Sequence, residues 1–310
     1  MASFRTQSVV LSLAFMGLTG LGACVSTTEF AESVDREWDN PSVEVVPKAT
    51  PDDPEAQRLR AEMKARQLAR LSTNKDCNKI LELAPDLAST GADDLDPDLK
   101  IARCQYLGMD LASAREHYQS AYDASGNIDA LKGLALTELR AGRPERALGF
   151  LEQVNDAADV PDIRVLNAIG YANDLLGNYD AARVAFEQAG ELRPDEGGAY
   201  NNLGMSYLRQ NRFDDAVEAF QIALNRDPGL DIARLNLRIA LASQGDFATA
   251  LAGASEAEQA TVLNSAGAYA FAEGDIETAE WMFQKALDIN PSFYPSAYEN
   301  LQRARLTDKR

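Results

Sequence analysis

Residues 163–230 consist of two consecutive 34-residue units, and an internal period of this size commits a chain to a fold of repeated, stacked parts. Gly170, Ala182, Phe186, Ala189 and Pro194 of the first unit recur as Gly204, Ala216, Phe220, Ala223 and Pro228 of the second. Within the second unit Tyr200, Leu203, Gly204 and Tyr207 follow i, i+3, i+4, i+7 and so share one helical face. Ala216, Phe220, Ala223 and Leu224 do the same on a second helix, with Gln210-Asn211-Arg212 as the turn between them. Gly204 and Ala216 are small enough to let two backbones approach, and Phe220 is expected to fill the space beside them. Pro228 lacks an amide donor and ends the second helix.

This spacing resembles the tetratricopeptide repeat at nearly every signature position. The resemblance implies an all-α superhelical solenoid of antiparallel helix pairs with capping helices at both ends. The array is expected over 95–293. Ala114 with Tyr118 and Ala121 sets one degenerate unit in register, and Ala147 with Leu151 sets another. Residues 231–259 read as a shortened unit opened by Leu235, Ile239 and Leu241. The full pattern returns with Gly267, Ala279, Phe283, Ala286 and Pro291, which makes six units. Residues 54–94 read as an N-terminal helical cap, with helices over 54–71 and from Asn74 or Asp76 to about Leu87. Tyr298 and Leu301 suit a C-terminal capping helix and tail over 294–310. Caps are needed because the end faces of such arrays are otherwise apolar and unpaired.

Ahead of the helical region, Arg5 precedes a short apolar run over 9–18 that closes in Leu21-Gly22-Ala23-Cys24. The run is too short for a permanent membrane helix and reads as a signal peptide over 1–23. Its ending resembles a bacterial lipobox, which implies lipidation of Cys24; Val25 rather than Asp at the next position implies sorting to the outer membrane. Residues 24–53, rich in acid, Ser, Thr and Pro, read as a flexible tether. Within it Phe30, Val34 and Trp38 fall at helical spacing, compatible with a short docking helix or with disorder.

Cys77 and Cys104 remain. In an exported protein two leftover cysteines favour a disulfide, which would tie the cap to the array; the alternative is that each is a small buried hydrophobe. A single histidine and no close cysteine pair argue against a metal site, and no cofactor is expected. No G-x-S-x-G, H-E-x-x-H or P-loop is present, so no catalytic residue is assigned and the chain is expected not to be an enzyme. A net charge of −18 excludes nucleic acid as a natural partner and reflects either a solvated surface or a basic protein partner.

Function is therefore sought on a surface. Asn167, Asn201, Asn202, Asn236 and Asn264 fall on the fifth or sixth residue of successive units. Such a row either holds an extended polypeptide by its backbone or joins neighbouring helices. Tyr171, Met205, Leu208, Ile239 and Phe271 are expected near the same groove as apolar contacts. The whole layout resembles the lipoproteins of Tad/Flp pilus assembly, the TadD-like group. That resemblance implies a periplasm-facing scaffold of pilotin type, its partner a secretin or other pilus or secretion component. General envelope scaffolding, as in outer-membrane protein assembly, and activation of a cell-wall enzyme are the alternatives. No small-molecule substrate is expected.

Overall fold

The computed structural model describes residues 76–87, 97–158, 160–290 and 295–307. Among them are fourteen helices and no strand. They are α1 (Cys77–Leu87), α2 (Pro97–Leu107), α3 (Leu111–Ser125), α4 (Ile128–Arg140), α5 (Pro144–Asp156), α6 (Ile163–Leu175) and α7 (Tyr179–Leu192). There follow α8 (Gly198–Arg209), α9 (Phe213–Arg226), α10 (Asp231–Ser243), α11 (Phe247–Leu251), α12 (Glu256–Glu273), α13 (Ile276–Ile289) and α14 (Pro295–Thr307). The signal segment, Cys24, the tether and the helix expected over 54–71 lie outside the described residues.

One turn design recurs six times. A residue with left-handed backbone ends each first helix: Met109, Gly142, Gly177, Asn211, Gly245 and Gly274, with φ between 56° and 91°. The next amide then donates to the carbonyl five residues back, as Arg212 does to Tyr207 and Asp275 to Ala270, both at 2.9 Å. This satisfies carbonyls that the helix end would leave orphaned. The following helix is often capped by the same residue. Asp110, Asp246 and Asp275 accept from the amides of Ser113, Thr249 and Thr278 at 3.1–3.2 Å.

The chain divides into two compact units, one within Thr27–Ala182 and the other from Arg183 onward, with the division inside α7. In the first, α2 to α6 bury a continuous core that includes Tyr106, Tyr118, Leu131, Leu134, Leu151 and Val165. The Tyr118 ring lies where a side chain on Gly133 would be, so α3 and α4 pack tightly. Arg140, the last residue of α4, places its guanidinium 4.5 Å from the Tyr106 ring centroid and donates to the Tyr106 carbonyl at 2.9 Å. Buried Glu138 pairs with Arg143 across the α4–α5 turn. A disulfide joins Cys77 to Cys104, with 5.2 Å between their Cα atoms, and fastens α1 to α2. Among the described side chains of α1, those of 77–82, only Ile80 is buried. A helix of this length is marginal by itself in water.

In the second unit Gly204 and Phe220 meet across the α8–α9 hairpin, and Gly267 and Phe283 meet across α12–α13. A Cβ on Gly204 would stand 2.5 Å from the Phe220 ring, and one on Gly267 2.9 Å from that of Phe283. Tyr200 packs against Gly190, while Arg226 lies 4.2 Å over its ring and donates to the Gly190 carbonyl. Between these full hairpins α11 spans only five residues. Its shortness lets α10 pack directly on α12, which starts early under a Ser255–Glu258 capping box. At the C-terminal end α14 buries Ala297, Leu301 and Ala304 against α12 and α13.

Candidate protein-binding surface

The residues expected to face an open groove divide into two sets. Asn201, Asn236 and Asn264 are buried, Asn236 completely at 0% exposure. Asn236 Nδ2 donates to Asn201 Oδ1 at 3.0 Å, joining α10 to α8, and Asn300 Nδ2 donates to Asn264 Oδ1 at 3.2 Å, joining α14 to α12. An amide carries both donor and acceptor, so asparagines on adjacent first helices can pair where water is excluded, although Asn236 Oδ1 is itself buried without a hydrogen-bond partner. For these three side chains the expected peptide contact gives way to a helix–helix tie.

Met205, Leu208 and Ile239 also differ from expectation: they are core, at 5%, 0% and 2% exposure. Tyr269 of α12 packs against both of the clusters that hold them. Its ring packs on the cluster of Met205, Leu208 and Phe220 and meets the Phe213 ring edge-on, with centroids 6.2 Å apart. The shortened α10–α11 hairpin brings α12 close enough for this reach. Tyr269 was not singled out from sequence, since its role depends on the length of a different hairpin.

Asn167, Tyr171, Asn202 and Phe271 remain half-buried. Tyr171 packs beside the first unit's core and Phe271 beside the cluster of Phe283 and Leu301. The residues predicted for repeat packing, Gly170, Ala182, Phe186, Gly204, Ala216, Phe220, Gly267, Ala279 and Phe283, are all buried.

On the outer side of the first unit a shallow cleft of about 720 Å³ is lined by Arg115, Glu116, Gln119, Ser120 and Asp123 of α3 and Arg146 of α5. Its charges are of both signs. In the second unit Trp281 of α13 is 46% exposed and its ring lies 4.8 Å from that of Phe247. His117 is half-buried, with its Nδ1 3.0 Å from the Ser113 carbonyl oxygen. Several surface carboxyls sit below the usual range. For Asp246 and Asp275 the cause is the hydrogen bond each accepts as a helix cap. Burial pushes the Asp162 carboxyl up, but the hydrogen bonds and charge of Arg164 and the charge of Lys132 together bring it below its ordinary value. Among the described residues no group of three or more His, Cys, Asp or Glu is placed to hold a metal ion. No described helix is long and apolar enough to cross a membrane.

These features define the all-α tetratricopeptide-repeat fold, and a sequence model of the family described as Tetratricopeptide repeat matches residues 167–231 and 201–261. Among solved structures the chain is similar to a tetratricopeptide repeat protein from Parabacteroides merdae. The two are 18% identical with a TM-score of 0.58, over 80% of this chain and 99% of that one. It is also similar to a chain of the APC/C hetero-tetramer Cut9–Hcn1, at 17% identity and a TM-score of 0.53 over 96% of this chain and 56% of that chain. At these identities the likeness concerns the fold.

Proposed function

We propose that this chain is a non-enzymatic protein-binding scaffold, anchored by lipid on Cys24 in the outer membrane and facing the periplasm. Its task in this reading is to assist assembly of a secretin of the Tad/Flp pilus type by holding a segment of a partner protein. The observation that carries the protein-binding part is the repeat array itself. Tetratricopeptide units recur through the chain, and such repeats serve as interaction scaffolds. A stack of helical hairpins offers extended polar surface rather than an enclosed pocket, which suits a polypeptide better than a small substrate. The Leu21-Gly22-Ala23-Cys24 ending supports the anchor. The order of lipobox, acidic tether and repeats supports the pilus assignment.

The half-buried Asn202 and Phe271 are the first-helix positions from which a partner is best captured. A photo-crosslinker at either position, used in cells, is expected to trap a discrete secretin band. Replacing Cys24 by Ser is expected to lower the yield of heat-stable secretin multimers in the outer membrane. Normal multimers in the Cys24→Ser strain, with the protein present at ordinary level, would overturn the pilotin reading.

A further inference from the structure

We infer that the shallow cleft on the outer side of the first unit is a binding site for a short zwitterionic peptide, whose carboxylate meets Arg115 and Arg146 and whose ammonium meets Asp123.

Charge picks out this cleft. The chain carries −18 overall, and elsewhere Lys132, Arg143, Arg164, Arg212 and Arg234 each pair with an acid. Arg115 of α3, half-buried in the wall of the cleft, makes no hydrogen bond or ion pair among the described residues. Arg146 of α5 is 54% exposed, and its Nη2 lies 3.6 Å from Oε1 of Glu138, a fully buried carboxylate. That oxygen has no hydrogen-bond partner. Its attraction holds the Arg146 side chain at the wall and leaves most of the guanidinium donors for a ligand.

The opposite charge stands further along. Asp123 follows Arg115 by eight residues on the same side of α3, which sets the two about 12 Å apart along the helix. Gln119, between them, donates to Asp123 at 2.8 Å, and the Ser120 hydroxyl donates to Asp98 of α2 at 2.7 Å. Glu116 stands beside Arg115, so the four charges that line the cleft sum to zero. A bare anion would meet the two acids and the net charge of the chain; a bare cation would meet the two arginines. A molecule with both charges, spaced to match, suits both ends. A tripeptide extends to about 10 Å, and a cleft of about 720 Å³ has room for it.

The test is titration calorimetry of the full chain with trialanine, which has no net charge and so gains nothing from the acidic surface as a whole. Saturable binding is expected. Arg115→Ala, trialanine amide and N-acetyl-trialanine are each expected to weaken it about fivefold or more. Arg115 has no partner to lose, so Arg115→Ala should keep the wild-type melting temperature. The amide should bind wild type and Arg115→Ala alike, because the group that Arg115 would meet is gone. Asp123→Asn should weaken trialanine and leave the N-acetyl form unaffected. No saturable heat at about 10 mM trialanine would overturn the site, as would equal affinity in wild type and Arg115→Ala. So would an amide that binds wild type as well as the free peptide does, since general attraction of a cation to an acidic chain would then account for the heat.

Discussion

Arg238 of α10 donates from Nη1 to the carbonyl of Ala250 at 2.7 Å, and to that of Ala252 at 2.9 Å, at the C-terminal end of α11. It stands 34 residues after Gly204, where the full hairpin has no side chain at all. In α8–α9 that space belongs to Phe220. In the shortened hairpin the Arg238 guanidinium caps the carbonyls of a helix that stops after five residues. Arg238→Ala should therefore cost about 1.5–3 kcal/mol, as hydrogen bonds to a charged donor do. The loss should appear as a lower urea midpoint and as faster amide exchange in 247–251. An unchanged midpoint would mean that the carbonyls are served equally well by water.

Gly204→Leu should destabilise the protein by about 1–3 kcal/mol or more, since even a Cβ would intrude on the Phe220 ring. A thermal scan of the full chain reads this directly. A melting temperature equal to that of wild type would show that α8 and α9 separate at no cost.

Met109 has φ of 65° at a turn position where four of the six hairpins carry glycine. A side chain in the left-handed region costs about 1–2 kcal/mol relative to glycine, and Met109 is 54% exposed, so its removal sacrifices little packing. Met109→Gly is expected to stabilise by about 0.5–1 kcal/mol in urea unfolding, with an unchanged m value. A destabilised variant would contradict the turn geometry.

Asn236→Ala leaves Asn201 Oδ1 without its donor in a buried place and should cost about 1–3 kcal/mol. The double replacement with Asn201→Ala should cost less than the sum of the singles, with a coupling of about 0.5–1.5 kcal/mol. Strict additivity would mean that the two amides do not depend on each other.

Acid should weaken the first unit through Asp162. Its carboxyl titrates below the unfolded value, so the stabilisation is complete above roughly pH 4 and is lost as pH falls through the native value. Asp162→Asn is expected to be less stable than wild type at pH 7, with the gap narrowing as pH falls below the unfolded carboxyl value. A gap of constant size across that range would place the effect of the substitution elsewhere.

Much of the fold was legible because the repeat writes its own packing. Gly204 facing Phe220 and Gly267 facing Phe283 follow from small and aromatic residues at fixed offsets. The turns were legible in principle as well: a glycine or asparagine before five of the six second helices, as at Gly142, Asn211 and Gly274, marks the left-handed residue, and Met109 is the exception. The binding surface was harder. Offsets place Met205 and Leu208 on a first helix, but the ring that covers them, Tyr269, arrives from beyond a shortened hairpin. Asn201 and Asn236 were visible as a row. Spacing along one helix does not reveal whether an amide turns outward or toward its neighbour.

The brevity of α11 has a further consequence. Modular chains grow and shrink by whole units, yet here most of one outer helix is missing while α10 and α12 close ranks and keep the interior sealed. The stretch Ala252-Gly253-Ala254 is thus the natural doorway for length change. Extra residues threaded in there meet an exposed bend rather than a packed layer, so that point should accept a grafted peptide or a small inserted domain with the rest of the register untouched.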